Sequence, residues 1–150
     1  QVIADVHEEL YEASKAVDHD FATEPFESLL EANYGYLRHY QANHDVMRAF
    51  IEAANVDARF RELSWKMRAR HIDRFVDAMQ KQYQRHEVYQ VPIRLAAEAA
   101  ACMVEQSAYV WYAHEDLHDT PVSLDDASKI VTHAWHNLFF ATPGSTTAAD

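Results

Sequence analysis

Apolar side chains recur every three or four positions along most of the chain, which is the spacing of one face of an α-helix. The first such stripe lies within residues 1–18, and residues 19–24 interrupt it. Thr23, followed two residues later by Pro25, is typical of a helix start with an N-cap ahead of a proline in the first turn. The pattern therefore predicts a second helix over residues 25–43.

Polar residues and prolines divide the rest of the chain into further helices. Asp45, Asp57 and Ser123 each precede an apolar stripe as candidate N-caps, and Asp126 follows Ser123 at the spacing of a capping box. Pro92 opens the fifth helix. The predicted helices cover residues 1–18, 25–43, 45–54, 58–85, 92–117 and 124–142, joined by short connections such as residues 87–91. We therefore expect an all-α domain of six helices over residues 1–142, with a disordered tail over residues 143–150.

Composition agrees with one helical domain. The 150 residues are 49% hydrophobic and include only two glycines and four prolines, whereas turns and hairpins usually need more of both. Gly35 lies inside the second predicted helix, where it costs about 1 kcal/mol relative to alanine. Close packing of another helix at that point would explain it. The fifth predicted helix is apolar around most of its circumference, so it should be central and should also meet a partner.

Charge and cysteine content limit the function classes. The formal net charge of −11 argues against nucleic-acid binding by this chain itself, which would need clustered Lys and Arg. The one basic run, Lys66 to Arg74, is broken by apolar residues and is interpreted as a solvated helix face. Cys102 is the single cysteine, and its alanine-rich surroundings predict an inert core residue. No signal peptide, lipidation motif or membrane span is visible, so a cytoplasmic location without membrane association is expected.

A family resemblance covers nearly the whole chain and is clearest in its last third. Residues 92–112, where an alanine-rich stretch precedes Met-Val-Glu and an aromatic cluster, resemble the penultimate helix of the regulatory domain in TetR-type (tetracycline-repressor-like) transcriptional regulators. Residues 123–140, ending in Ala-Trp-x-x-Leu-Phe, are similar to the final helix of that domain. Residues 36–40 and 43–50 are similar to the paired helices that frame the family's ligand cavity.

The resemblance implies a specific architecture and function. The last two long helices would pack against their copies in an intermolecular four-helix bundle, making a homodimer. The preceding helices would enclose an apolar pocket for a small hydrophobic effector. Residues 1–18 look like the helix that connects the regulatory domain to an N-terminal helix-turn-helix domain, which this sequence lacks. DNA contact would be made only by that missing domain, and the chain itself would have no catalytic activity, cofactor or metal.

Candidate effector-binding residues are those on inward helix faces where bulky and polar side chains mix. The predicted set is Leu30, Asn33, Tyr34, Leu37, Met67, His71, Phe75, Ala101, Val104, Glu105 and Ala108. Ordinary core packing is the alternative for each apolar member. Asn33, His71 and Glu105 are the more informative positions, because polar groups on apolar stripes must find partners. A ligand could be that partner, and so could a structural Glu105–His71 or Glu105–Arg70 pair.

Candidate dimer-interface residues are those left on apolar stripes of the last two helices after core burial. The predicted set is Met103, Ser107, Val110, Trp111, Ile130, His133, Asn137 and Phe140. Ordinary exposed surface is the alternative.

One motif favours a different class of protein. Residues 114–118 read His-Glu-Asp-Leu-His, which matches the H-E-x-x-H signature of zinc peptidases. A small helical zinc hydrolase would need a third ligand, for which His133 and His136 are the nearby candidates. The motif falls at a predicted helix C-terminus, where the helix dipole favours histidine without any metal. A di-iron bundle needs two Glu-x-x-His motifs, and only one occurs. A helical interaction module with a filled core is the third hypothesis.

Overall fold

The computed structural model describes residues 2–114 and 119–141, and six α-helices make up most of this part of the chain. They are α1 (Val2–Ala13), α2 (Pro25–Ala42), α3 (His44–Val56), α4 (Ala58–Tyr83), α5 (Ile93–Ala108) and α6 (Leu124–Phe140). The all-α prediction is confirmed, and each predicted helix has its counterpart. The predicted disorder of residues 143–150 concerns positions outside the described residues.

Two of the four predicted N-cap residues form the expected capping hydrogen bond. The Asp57 carboxylate accepts the N–H of Arg59, and the Ser123 hydroxyl accepts the N–H of Asp126. These hydrogen bonds satisfy amide groups that have no partner within the helix.

The other two cap predictions are wrong. Helix α2 starts at Pro25 as predicted. Its N-cap residue is Glu24 and not Thr23, and the Glu24 side chain makes no capping hydrogen bond. The N–H of Thr23 donates to the Asp20 carbonyl, so Thr23 belongs to a turn that Asp20 organises. Helix α3 starts one residue ahead of Asp45, which therefore lies in its first turn.

A short hairpin replaces the predicted connection between α4 and α5. Strands β1 (Glu87–Val88) and β2 (Val91–Pro92) pair in antiparallel fashion. Tyr89 and Gln90 have φ values of 52° and 62°, which gives the two-residue turn that hairpins favour. The prediction missed this hairpin because neither turn position is glycine or asparagine.

Helix α5 does not continue as an α-helix to residue 117. It ends at Ala108, and a π-helical turn, Tyr109–Ala113, follows. The N–H of His114 donates to the Tyr109 carbonyl at 2.9 Å, five residues back, as in a π-helix. The wider turn brings Tyr112 and Ala113 into the core.

Two apolar clusters form the core, and α5 contributes to both, which suits the predicted central helix. The first joins α1, α2 and α3 to the π-helical turn and α6, and comprises Val6, Leu10, Leu37, Tyr40, Met47, Val104, Ala108, Tyr112, Ala113, Ala127 and Val131. The second joins α4 to β1, the start of α5 and the end of α6, and comprises Ile72, Val76, Met79, Val88, Ile93, Ala97, Ala100, Ala101 and Phe139.

Gly35 marks a very close approach of α1 and α2. A Cβ atom at this position would lie 3.0 Å from the Ala13 carbonyl carbon and closer still to its oxygen. The last turn of α1 therefore rests directly on the backbone of α2. The prediction that close packing explains this glycine is confirmed.

Cys102 is exposed, so its prediction as a core residue is wrong. The buried stripe of α5 follows Ala97, Ala101, Val104 and Ala108. Cys102 is displaced from that stripe by one residue, or about 100° around the helix. Within residues 2–114 and 119–141, no helix combines the length and the apolarity needed to cross a membrane.

Candidate functional site

One cavity between the helices, here called the aromatic cavity, has a volume of about 380 Å³. Residues 14–21 of the α1–α2 connection close one side of it, while α2, α4, α5 and α6 form the rest. Its walls carry the rings of Phe21, Tyr36, Phe75 and Trp135. The other lining residues are Ser14, Lys15, Ala16, Val17, Ser28, Leu29, Ala32, Asn33, His71, Arg74, Ala78, Ala101, Val104 and Glu105.

The second cavity, here called the polar cavity, has a volume of about 520 Å³ and lies among α1 to α5 and the π-helical turn. Its lining includes His7, Tyr40, Arg68, Cys102 and Gln106. The remaining lining residues are Leu10, Tyr36, Met47, Phe50, Ile51, Ala54, Asn55, Ser64, Met67, His71, Glu105 and Tyr109.

Tyr36, His71 and Glu105 line both cavities, so they form a shared wall. Both volumes fall within the range of small-molecule sites, which is about 300–1,000 Å³. The two cavities are therefore adjoining compartments of one hollow region in the helical bundle.

Seven of the eleven predicted effector residues line one or both cavities: Asn33, Met67, His71, Phe75, Ala101, Val104 and Glu105. The other four line neither. Leu37 and Ala108 are fully buried in the first core cluster, Leu30 is half-buried, and Tyr34 is 37% exposed. On α2 the cavity borders Leu29, Asn33 and Tyr36. The predicted residues that miss it, Leu30, Tyr34 and Leu37, each follow one of these by one position.

Several cavity residues lie outside the predicted set. Ser14 and Phe21 belong to the α1–α2 connection, which has no helical periodicity to assign it to a face. An aromatic residue in an otherwise polar segment, such as Phe21, could have indicated that this connection covers a cavity. The Phe21 ring packs edge-on against Phe75, with the ring centroids 6.0 Å apart. Arg74 belongs to the basic run that was interpreted as a solvated helix face, and Trp135 lies on the last helix outside the predicted effector set.

The carboxylate of Glu31 holds the α1–α2 connection in place. It accepts the backbone N–H groups of Val17 at 2.7 Å and Asp18 at 3.1 Å, and the His19 ring lies 2.9 Å away. Burial would raise the pKa of Glu31, but these donors outweigh it and the pKa is lowered. The ion pair with Glu31 raises the pKa of His19. The segment that covers the aromatic cavity is therefore fixed to α2 by one side chain.

An ion pair occupies the wall between the cavities. Arg68 meets the Glu105 carboxylate through Nε, at 2.8 Å and 3.0 Å, and through Nη2 at 2.7 Å. The Glu105–Arg70 and Glu105–His71 pairs considered from the sequence do not form. Arg70 instead pairs with Glu8 of α1, because two residues along a helix place side chains about 200° apart.

The basic run is therefore not the solvated face that was expected. Lys66 makes an exposed pair with Glu62 on its own helix. Arg68 reaches α5, while Arg70 and Arg74 both reach α1. Alternating basic residues on α4 thus join it to its neighbours on two sides.

Two partly buried histidines are held uncharged. Burial, assisted by the positive charge of Arg74, lowers the pKa of His71 to about 3. Its Nδ1 lies 3.3 Å from the Ser14 hydroxyl oxygen. Burial also lowers the pKa of His7 to about 4, and its ring packs edge-on against Phe50. At neutral pH the shared wall therefore contributes a neutral imidazole.

Some buried polar atoms of the cavity residues have no hydrogen-bond partner among the described residues. In the polar cavity these are His7 Nε2 and the Tyr40 hydroxyl, and in the aromatic cavity the indole N–H of Trp135. Asn33 is satisfied through its amide N–H, which donates to the Thr132 hydroxyl at 3.0 Å. Such unpaired groups are costly in a closed core and are usual in a site that receives a polar ligand atom.

The predicted dimer-interface residues divide into two groups. Ile130, His133 and Asn137 are exposed on α6, and Ile130 is 60% exposed. Met103, Ser107, Val110, Trp111 and Phe140 are half-buried. Helix α5 further exposes Leu95, which is 58% exposed, and Ala99 beside it.

The zinc-motif hypothesis falls partly outside the described residues, because Glu115 and His118 lie there. The His114 ring packs against Tyr109, whereas His133 and His136 both contact Phe26 at the start of α2. In the part of the chain that the structure describes, no group of three or more His, Cys, Asp or Glu side chains could hold a metal ion.

Comparisons with known proteins found no match to any family model, curated protein or solved structure.

Proposed function

We propose that this chain is the effector-binding and dimerisation domain of a TetR-like transcriptional regulator. The observation that carries the proposal is a pair of adjoining cavities, lined mainly by α1 to α5 and the α1–α2 connection, with Trp135 of α6 in the wall of the aromatic cavity. The helix order and the sequence resemblance support the same assignment. Operator contact would belong to a helix-turn-helix domain joined to the chain ahead of α1.

The position of α1 supports a route by which a ligand could act. Arg74, a wall residue of the aromatic cavity, donates to the carbonyls of Tyr11 and Ser14 at the end of α1, both at 3.1 Å. Gly35 brings the same end of α1 against α2. A ligand that binds one arrangement of α1 better than another would shift the population towards it.

Ligand binding in the aromatic cavity is tested with a cavity-filling variant. Ala101 lines the cavity and is buried, so Ala101→Leu places three further carbon atoms in the space a ligand would use. We expect compounds that raise the melting temperature of the wild-type protein to bind this variant at least tenfold more weakly, by steric exclusion. Thermal melts against a chemically diverse set of hydrophobic compounds identify the ligands, and calorimetric titration measures the change.

The matched control is Ala42→Leu, which makes the same change at an exposed position of α2. It should bind like the wild type. Unchanged melting temperatures across the whole set, or equal binding by Ala101→Leu, would contradict a ligand site in this cavity.

Dimerisation through α5 and α6 is tested at Ile130. This exposed apolar side chain would be buried twice in a symmetric interface, so Ile130→Glu would bury two unpaired carboxylates. We expect the dimer dissociation constant to rise at least tenfold, measured by sedimentation equilibrium. Val56→Glu makes a similar change at a position that is 84% exposed at the end of α3, and should leave the constant unchanged. A wild-type chain that stays monomeric at all concentrations would refute the dimer.

A further inference from the structure

The aromatic cavity carries one positive charge, on Arg74, that forms no ion pair among the described residues. Three charged side chains line it: Lys15, Arg74 and Glu105. Lys15 pairs with Glu12 at 2.6 Å, and Glu105 pairs with Arg68 at 2.7 Å. Within the described residues, Arg74 forms an ion pair with no carboxylate group. This is unexpected in a chain whose formal net charge is −11.

The surroundings of Arg74 leave part of its guanidinium available. Three hydrogen bonds lead from it to α1: to the Tyr11 carbonyl at 3.1 Å, the Ser14 carbonyl at 3.1 Å and the Ser14 hydroxyl at 2.7 Å. A guanidinium has five N–H donors, so at least two remain. The Tyr11 ring covers one face, with its centroid 4.3 Å from Cζ. Burial lowers the pKa of Arg74, and the opposing effects of Tyr11 and Glu12 are too small to offset the loss of water.

The uncharged polar groups of the same cavity also favour a ligand that accepts hydrogen bonds. The indole N–H of Trp135 is a donor only, and it is buried without an acceptor among the described residues. The one carboxylate in the wall, Glu105, already receives three contacts from Arg68. Donors without acceptors are therefore in excess, which is the opposite of what a cationic ligand would require.

The remaining walls and the volume define the rest of the ligand. Phe21, Leu29, Phe75, Ala101 and Val104 present aromatic and aliphatic surface. A water-sized group takes up about 30 Å³ of liquid volume, so about 380 Å³ holds roughly a dozen such groups. A ligand of that size is a single ring with a short chain, or a medium-length alkyl chain.

We propose that the aromatic cavity binds a small apolar monocarboxylate whose carboxylate accepts hydrogen bonds from the guanidinium of Arg74. This inference rests on the proposed function, because it names the chemical class of the ligand for that same site. The arginine supplies both a positive charge and free N–H donors, which favour a carboxylate. The aromatic walls bind the apolar part, and Trp135 supplies a further donor close to the same space.

The experiment compares three ligands of one shape on the wild-type protein. Phenylbutyrate, with the ring at the end of the chain, is the carboxylate probe, and phenylbutanol and phenylbutylammonium are its neutral and cationic counterparts. Calorimetric titration at neutral pH gives the three dissociation constants. We expect the carboxylate to bind at least tenfold more tightly than the alcohol, and the ammonium to bind most weakly.

Variants then assign the preference to Arg74. Arg74→Gln should remove the difference between carboxylate and alcohol, and Arg74→Lys should retain part of it. Arg94→Gln is the matched control, because Arg94 is exposed, pairs with Asp73 and does not line either cavity. Since Arg74 also holds the end of α1, each variant is first checked by circular dichroism and thermal melting. If Arg74→Gln does not fold, Trp135→Phe, which removes a donor and keeps an aromatic ring, should lower the preference for the carboxylate two- to threefold.

Each outcome has a distinct meaning. Binding of the alcohol as tight as that of the carboxylate would overturn the carboxylate proposal and leave a ligand-binding cavity intact. Tightest binding of the ammonium would overturn it too and indicate Glu105 as the recognition group. An undiminished carboxylate preference in a folded Arg74→Gln protein would show that the anion binds elsewhere. Failure of all three probes, together with unchanged melting in the wider compound set, would overturn the ligand site itself.

Discussion

Replacing Gly35 by alanine will lower the free energy of unfolding by about 3 kcal/mol, because the added methyl group collides with backbone that cannot move independently. The Cβ atom would overlap the carbonyl oxygen of Ala13, which lies in the last turn of α1. Alanine gains about 1 kcal/mol in helix propensity over glycine, and this gain opposes the collision without cancelling it. Relief requires α1 to move away from α2, which exposes Val6 and Leu10.

Urea unfolding followed by circular dichroism measures this effect. Gly35→Val should be more damaging than Gly35→Ala, because its side chain extends further into α1. Tyr34→Ala is the control on the neighbouring, exposed position of the same helix and should change stability by less than about 1 kcal/mol. Equal stability of Gly35→Ala and the wild type would show that α1 does not rest on α2 in solution.

Acidification from about pH 7.5 to about pH 5 will destabilise the protein by roughly 4 kcal/mol through two histidines. Their folded-state pKa values are about 4 for His7 and about 3 for His71, against an ordinary value of 6.5. In this window the unfolded chain binds protons that the folded protein excludes, so stability falls as pH falls below about 6.5. At pH 5 each histidine contributes about 2 kcal/mol to that loss.

Several other titratable groups affect stability in a different pH range or in the opposite direction. Glu31 and Asp57 have lowered pKa values, so the stability they contribute is present above about pH 4.5 and is lost only at lower pH. His19 has a raised pKa, so its pairing stabilises the fold on the acidic side and opposes the effect. His136 also has a pKa lowered by burial, so it adds a loss of the same sign in this window. The region between pH 6.5 and pH 5 reports mainly on His7 and His71, whose pKa values are lowered further.

Variants assign the pH dependence to those imidazoles. His71→Asn keeps a donor near the position of Nδ1, and His7→Phe keeps an aromatic ring against Phe50. Urea unfolding measures the difference in the free energy of unfolding between about pH 7.5 and about pH 5. Each single variant should show about half of the wild-type difference, and the double variant should show little. His133→Asn, at an exposed position, should retain the full difference. A wild-type protein equally stable at both pH values would mean that these imidazoles accept protons in the folded state.

Local chemistry made most helix starts predictable. Pro25 fixes the backbone of the first turn of α2, while Asp57 and Ser123 accept amide groups two and three residues ahead, so the sequence alone identifies those starts. The hairpin turn at Tyr89 and Gln90 escaped prediction, because its left-handed backbone is imposed by the packing of Val88 and Ile93 and not by a turn residue. Tertiary packing overrode local preference at that point.

The candidate site was less predictable than the fold, because it depends on which way each helix is turned. Helix α2 has buried residues towards both α1 and α6, so its apolar pattern alone does not tell which face borders a cavity. Asn33 was identified correctly as a cavity residue, whereas Leu37 on the same helix packs in the core. The choice of Arg68 over Arg70 as the partner of Glu105 likewise follows from the rotation of α4 against α5.

The π-helical turn, Tyr109–Ala113, lets the chain carry one extra residue at this point. A π-turn holds one residue more than an α-turn, so it behaves as an insertion that the helix has absorbed. Deleting one residue there would restore regular α-helix and leave the orientation of the flanking residues nearly unchanged. Forcing all five residues into an α-helix would instead rotate the end of the turn by about 100° and take Tyr112 and Ala113 out of the first core cluster. Natural variation at this turn should therefore include the loss of one residue.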